Sequence, residues 1–272
     1  MSPTSHPTSP SRLPPVNDAF ETRTVGSIPF CVASPEDATT WLLDAEARRA
    51  APVNVRLANA YNVALADRDP SYRELLVEEG VNFPDGTPVV WFMNSQLPRT
   101  AKRVRGPSLF VDVMRAGVER GTRHFLLGGT PETLAQLEEA LAATHPGINV
   151  VGSYSPPFAP ATAEYIADCA DHIRQTKPDL VWVGLGTPKQ DVVGTALARE
   201  AMITTVNVGA AFDFAAGTVR QAPVWVQRSG FEWLYRLASE PRRLWRRYVF
   251  GNLRFLRAAF GHRFADGTGG GS

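Results

Sequence analysis

Cysteine is scarce in this 272-residue chain, with only Cys31 and Cys169, far apart and outside any C-x-x-C or Cys/His cluster. That spacing excludes a disulfide scaffold or a zinc ribbon and fits a reducing, cytoplasmic setting. Long apolar runs are also missing. The densest, Val89 to Met93, falls far short of the roughly eighteen residues a spanning helix needs. An excess of one charge is lacking too: 28 Lys+Arg stand against 27 Asp+Glu, a net charge of +1. Such a balance argues against a uniformly basic nucleic-acid binder. There is no Walker A sequence and no G-x-S-x-G elbow, and His124, His145 and His172 have no metal-ligand spacing. The usual P-loop ATPase, serine hydrolase and histidine metal centre are therefore not suggested.

What is present is enough apolar sequence, 44% of residues, to bury one large core. The first fifteen residues carry five prolines and four serines with no apolar stretch, so a disordered leader is expected over residues 1–20 and no signal peptide. A core over residues 21–227, a C-terminal appendage over 228–264 and a Gly-rich flexible tail over 265–272 complete the expected organisation. Ser34 with Pro35 predicts a helix running to about Arg49, followed by a strand over Val53 to Ala58. Helices are expected from Asn59 to Ala66 and from Ser71 to Glu79, then a short strand and turn at Val81 to Gly86. Thr87-Pro88 and Gly106-Pro107 read as caps and first-turn prolines of two more helices.

In the second half, His124 to Gly129, Ile148 to Gly152, Leu180 to Gly186 and Ile203 to Gly209 are short apolar runs ending in glycine. Helical patterns at Pro131 to Ala143, Pro160 to Gln175 and Pro188 to Ala201 separate them. Strand, glycine turn and helix in repetition imply an α/β protein with a Rossmann-like parallel sheet and helices on both faces.

Ligands of such sheets bind at the carboxyl ends of the strands, so the turns carry the candidate chemistry. Gly184-Leu185-Gly186-Thr187-Pro188-Lys189-Gln190 begins as a dinucleotide fingerprint but has lysine where the third glycine belongs. Its two glycines, the Thr187 hydroxyl, the Lys189 cation and the Gln190 amide suit a phosphate or a sugar. Asn82-Phe83-Pro84-Asp85-Gly86 would hold the Asp85 carboxylate at a strand end, although Asp-Gly is also an ordinary turn. Asp67-Arg68-Asp69 has the D-x-D form of a metal-binding tripeptide, but it sits at a helix end before Pro70, where acids are commonplace.

The near-neutral total conceals a polarised chain. Residues 228–263 hold nine arginines and two glutamates, a charge of +7 that leaves −6 for the rest. On a helical wheel Arg243, Arg246, Arg247, Arg254 and Arg257 fall within an arc of roughly 100°. Leu244, Trp245, Tyr248, Val249, Phe255, Leu256 and Ala259 gather opposite. This basic amphipathic pattern suits an anionic membrane surface or an anionic site, and it also suits a terminal helix packed on the protein's own core. Gly251 interrupts it. Two alternatives stay open: a nucleotide-binding oxidoreductase or epimerase using the G-x-G turn, and a nucleic-acid-binding module using the arginines.

Taken in order, Asn59-Ala60, Pro84-Asp85-Gly86, Gly106, Phe125 to Gly129, Gly184 to Gln190, Val208 to Asp213, Ala222-Pro223, Glu232 to Arg236 and Glu240 to Arg243 resemble the WecG/TagA/CpsF glycosyltransferases over about residues 25–250. The resemblance implies an inverting, metal-independent enzyme without a cofactor. It would move a sugar, N-acetylmannosamine-type or glucose-type, from a UDP donor to a polyprenyl-diphosphate-linked saccharide in cell-wall or exopolysaccharide assembly. Asp85 falls on the position of the general base, and Asn59 and Gln190 on polar positions of the sugar and nucleotide pocket. Asp213 falls on the acidic position after the last strand, and Arg236, Arg243 and Arg246 on arginines of the appendage that closes over the site. Gly106, Gly186, Thr187 and Lys189 complete the expected binding set. The resemblance also implies peripheral attachment to the inner face of the plasma membrane, a homo-oligomer as in some members, and no nucleic-acid partner. Leu57 departs from the family, which often has threonine there.

Overall fold

The computed structural model describes residues 19–95, 101–229, 232–239, 242 and 251–261. Six strands, β3 (Asn54–Ala58), β4 (Val81–Pro84), β5 (Arg123–Gly128), β6 (Asn149–Tyr154), β7 (Leu180–Gly184) and β8 (Thr204–Asn207), form one parallel sheet. Their spatial order is β4-β3-β8-β7-β5-β6. A two-stranded antiparallel hairpin, β1 (Thr22–Val25) and β2 (Ile28–Cys31), precedes it and was not expected from sequence. It is tied to the sheet by Asn82, whose Nδ2 donates to the Pro29 carbonyl at 3.0 Å.

Residues alternate between the two faces of the sheet. Leu126, Leu180 and Trp182 join one core with Leu109, Phe110, Val113, Leu137 and Phe212, while Phe125, Leu127, Val181 and Val183 join the other with Ile166, Ile173, Val193 and Leu197. Burial on both sides explains why these strands read as unbroken apolar runs. Phe110 meets Trp182 edge to face at 4.9 Å between ring centroids, a geometry that adds to the area both rings bury. The faces are covered by α1 (Pro35–Leu42), α2 (Ala45–Ala50), α3 (Ala60–Ala66), α4 (Pro70–Glu78), α5 (Thr87–Asn94), α6 (Gly106–Gly117), α7 (Pro131–Thr144), α8 (Ala163–Thr176), α9 (Lys189–Glu200) and α10 (Ala211–Ala215). Two short helices follow, α11 (Val224–Ser229) and α12 (Glu232–Ser239). The α/β class and parallel winding read from sequence are those of the structure.

Several local expectations need correction. The helix predicted through Arg49 is two, because α1 ends at Leu42, with Leu43 as its cap, and α2 restarts at Ala45. Thr87 is the first residue of α5 rather than its cap, and Gly106 the first of α6; the N-caps are Gly86 and Arg105. In each case the proline takes the second helical position, which pushes the cap one residue earlier than a Thr-Pro or Gly-Pro reading places it. Asp69 caps α4 by accepting from Ser71 and Tyr72, so this acid of the D-x-D tripeptide is occupied in ending one turn and starting another.

Residues 251–261 are helical. Phe255, Ala258 and Ala259 are buried in a third core with Val25, Ile28, Val63, Val89 and Met93. Phe92 sits edge to face with both Phe255 and Phe260. Part of the apolar side expected to face a membrane therefore packs on the protein itself, because the hairpin and α5 offer it a complementary aromatic surface. Leu253, Leu256 and Phe260 stay exposed, as do Arg254 and Arg257. Most of the preceding basic stretch, including Arg243, Arg246 and Arg247, lies outside the described residues.

Candidate functional site

The residues that follow β3, β4, β7 and β8 lie side by side at the carboxyl edge of the sheet. Ligands of open parallel sheets bind beyond the carboxyl ends of the strands. The structure has a cleft there. One compartment, about 470 Å³, is lined by Leu57, Asn59, Asp85, Gly186, Thr187, Gln190 and Asp213. It shares Asn59, Tyr61, Asp85, Pro107 and Phe214 with a second compartment of about 110 Å³ that reaches Arg103, Arg105, Glu232, Trp233 and Asn252.

Asn59 and Asp85 reach the cleft because each immediately follows a strand, and Gly186 lies two residues past one. Asn59 ends β3 and caps α3: its side-chain oxygen accepts from Tyr61 N at 2.9 Å, which leaves the amide nitrogen for other partners. Asp85 ends β4. Its backbone N donates to the Ala58 carbonyl at 2.9 Å, and its own carbonyl accepts from Arg103 Nε. Oδ1 of its carboxylate receives Arg103 Nη2 and the backbone N of Gly106, each at 3.4 Å. The side chain remains 21% exposed, enough to meet a ligand from the cleft.

The turn after β7 is built for close approach. A Cβ on Gly184 would lie 2.7 Å from the Phe212 ring, and Gly186 has φ +76°, so glycine is required at both positions. Gln190 turns back to accept from Gly186 N at 3.1 Å, fixing the turn while still lining the cleft. Thr187 lines the cleft beside it. Gly106 contributes its N–H to Asp85, and Asp213 lies at the start of α10 on the cleft wall.

Lys189 does not join them. Its Nζ donates to the Ala159 carbonyl at 2.6 Å and lies 4.0 Å from the centre of the Tyr165 ring. As the first residue of α9, it points over the sheet face toward α8 rather than past the strand ends, and the expected phosphate contact is withdrawn. Arg236 lies in α12, while Arg243 and Arg246 fall outside the described residues.

Sequence reasoning missed a cluster that the fold assembles from distant segments. Glu232, at the start of α12 and 8% exposed, receives Arg103 Nη2 at 2.9 Å and Arg105 Nη2 at 2.8 Å. Arg105 Nη1 also reaches Gln221 Oε1 at 3.2 Å. Burial opposes ionisation of Glu232, but the hydrogen bonds from Arg105 and the charges of Arg103 and Arg105 outweigh it and hold its pKa below the ordinary range. Burial likewise works against the charged form of Arg103, and Asp85 and Glu232 overcome that and raise its pKa. The cluster thus sets the guanidinium groups of Arg103 and Arg105 against the carboxylates of Asp85 and Glu232. Glu232 and Trp233 were visible as a dipeptide, but nothing in the sequence indicated that they face residues about 130 positions earlier.

Below the cleft floor lies a buried polar network. Asp191, next to Gln190, accepts from Tyr72 Oη at 2.6 Å and from Asn207 Nδ2 at 3.0 Å. Asn62 Nδ2 donates to Tyr72 Oη at 2.8 Å, and the fully buried Arg56 donates to Thr195 at 2.8 Å. Charges this deep need partners on every side. The network ties α3, α4 and α9 to the strands whose ends form the cleft.

One further contrast marks the cleft. Of the helices that begin there, α3 is capped by Asn59, but α5, α6, α9 and α10 have no side-chain cap; α1, α4, α7 and α8 begin with a side chain accepting from the first turn. Uncapped first-turn N–H groups are donors suited to an anion. Among the described residues, no three His, Cys, Asp or Glu side chains gather as a metal-holding group, and no helix is long and apolar enough to cross a membrane. Residues 23–268 match the family model described as the glycosyl transferase WecG/TagA/CpsF family.

Proposed function

The chain belongs to the WecG/TagA/CpsF glycosyltransferase family, and from that premise we propose that it transfers a sugar from a UDP donor to a polyprenyl-diphosphate-linked saccharide, with inversion and with Asp85 as general base. The observation that carries this reading is the position of Asp85. It is a partly exposed carboxylate fixed by Arg103 and the N-terminus of α6, in a cleft at the carboxyl edge of the sheet. A base there removes the proton of the acceptor hydroxyl as it attacks the anomeric carbon from the face opposite the leaving UDP. The bond to the diphosphate breaks in the same step, and the negative charge passes to UDP.

That charge needs stabilisation. The uncapped helix starts at the cleft support the diphosphate role, since their N–H groups are fixed before the reaction and need not reorganise. Arg103 and Arg105 are balanced by Asp85 and Glu232, so further positive charge would come from Arg236, Arg243 and Arg246 of the basic segment. In this reading Asn59, Thr187, Gln190 and Asp213 bind the donor sugar and nucleotide. Leu57, where the family often has threonine, offers no hydroxyl and narrows the choice of donor. The exposed Leu253, Leu256 and Phe260 beside Arg254 and Arg257 favour attachment to an anionic membrane carrying the lipid-linked acceptor.

The test is a screen of UDP-sugars with a short prenyl-diphosphate saccharide acceptor, read by mass spectrometry of the lipid product. Formation of an acceptor extended by one sugar from a UDP donor supports the reading. Transfer only from a donor on another nucleotide, or only to a soluble acceptor, contradicts it.

A further inference from the structure

The amino-terminal end of the sheet, opposite the cleft, holds another cavity of about 290 Å³. Arg48 and Arg49 from the end of α2, Arg174 and Lys177 from the end of α8, Asp179 before β7, and Thr204 at the start of β8 stand on its wall. Four cations thus face one carboxylate, and that carboxylate is engaged, because Asp179 Oδ2 accepts from Arg123 N at 2.9 Å. Arg174 is also committed, to Asp171 at 2.8 Å and to the Glu200 carbonyl at 3.0 Å. Among the described residues neither Arg49 nor Lys177 has a carboxylate partner.

Basic residues often end helices simply to meet the last carbonyls. Here that task is done by another side chain: Arg123 donates Nε to the Lys177 carbonyl at 3.0 Å and Nη2 to the Thr176 carbonyl at 2.7 Å. The ammonium of Lys177 is not needed for it. Lys177 moreover holds the left-handed cap of α8 at φ +46°, a position that favours glycine or asparagine. Arg48 Nη1 donates to the Leu42 carbonyl; burial lowers the pKa of Arg48, Asp179 and Asp44 oppose this, and Arg49 and Arg120 push it down further. Finally, Thr204 is 3% exposed and its hydroxyl is buried with no hydrogen-bond partner. Such a group is uncommon unless something else satisfies it.

We propose that this cavity is a second, non-catalytic binding site for a phosphate-bearing anion, held by Arg48, Arg49 and Lys177 with Thr204 on its wall. Arginine forks and a lysine charge suit phosphate oxygens, and the space exceeds what a halide would fill. The site lies at the far end of β7 and β8 from the cleft, so its occupancy is separable from donor binding.

The experiment titrates the full chain with inorganic diphosphate by calorimetry at fixed ionic strength, comparing wild type with an Arg49→Ala, Lys177→Asn double variant. Asparagine keeps the left-handed cap. The wild type is expected to bind one more diphosphate per chain than the variant, or to bind it at least about tenfold more tightly at this site. A parallel flotation with vesicles containing phosphatidic acid separates a lipid headgroup from a free anion. Binding that depends on Arg49 and Lys177 in either arm supports the site. Identical isotherms and identical flotation for wild type and double variant overturn it.

Discussion

Glu232→Ala probes the junction between the sheet and α12 most sharply. In the folded protein this buried carboxylate accepts from Arg103 at 2.9 Å and from Arg105 at 2.8 and 3.2 Å. Hydrogen bonds to charged groups contribute about 1.5–3 kcal/mol each, but they share one carboxylate and do not add. Arg103 keeps Asp85 and Arg105 keeps Gln221, so neither guanidinium is stranded. The expected cost is therefore at the lower end of that for breaking a buried pair, about 3 kcal/mol. For a chain of this size it corresponds to a fall in Tm of about 6–12 °C, read by calorimetry or circular dichroism. Glu232→Gln retains an acceptor and should lose roughly half as much. Arg103, released from Glu232, should draw closer to Asp85, so transferase activity should fall more than the fraction of unfolded protein explains. A Glu232→Ala protein that melts within about 0.5 kcal/mol of wild type would refute the claim that this cluster joins α12 to the cleft.

Three other perturbations test the scaffold. Gly184→Ala drives a Cβ to 2.7 Å from the Phe212 ring and should cost about 1–3 kcal/mol in urea unfolding while weakening donor binding. Tyr72→Phe removes the 2.6 Å hydrogen bond to Asp191 beneath the cleft and should cost about 1–3 kcal/mol, and an unchanged midpoint would count against the network. His124 is fully buried, accepting from Trp182 Nε1 at 3.2 Å, and burial pushes its pKa down from 6.5 to about 4. Between those values the unfolded chain binds the proton and the native state does not, so stability falls as pH drops from about 6.5 to 4, by about 2–3 kcal/mol at most. In His124→Leu that part of the pH dependence should disappear from unfolding curves, whatever the variant's overall stability.

Much of the cleft was legible because of chain geometry. Asp85 and Gly186 lie far apart in sequence, yet each follows a strand of one parallel sheet, and parallel strands bring their carboxyl ends to a common edge, whereas Asn59 and Asp213 were indicated only by the family resemblance. Once Val53 to Ala58, Val81 to Gly86, Leu180 to Gly186 and Ile203 to Gly209 read as strands with their turns, those turns had to meet. Lys189 shows the limit of that reasoning. It is one residue from Gln190, but the start of α9 rotates it onto the sheet face, where Tyr165 and the Ala159 carbonyl hold it. Periodicity fixes the direction of a side chain only after the first helical residue is known.

The pairing of Arg103 and Arg105 with Glu232 was not legible for a different reason. Their pairing depends on how the chain beyond β8 folds back over the cleft, and no local pattern encodes that return. The β1–β2 hairpin was missed because its strands have four residues each, too few for alternation to stand out. In the basic segment the wheel separated arginines from apolar residues. It could not say that Phe255 and Ala259 would be claimed by Phe92 and the hairpin core, leaving Leu253, Leu256 and Phe260 outside.

The central claim concerns the Asp85 carboxylate, and steady-state turnover of Asp85→Asn tests it most directly, using the UDP-sugar and prenyl-diphosphate acceptor that the wild type accepts. Asparagine preserves the shape and the contacts with Arg103 and Gly106 N but cannot take a proton. The account predicts a fall in kcat of about 10²–10⁴, with donor affinity by calorimetry changed less than about threefold. Turnover by Asp85→Asn within a factor of about three of wild type, with the donor bound as before, would contradict it.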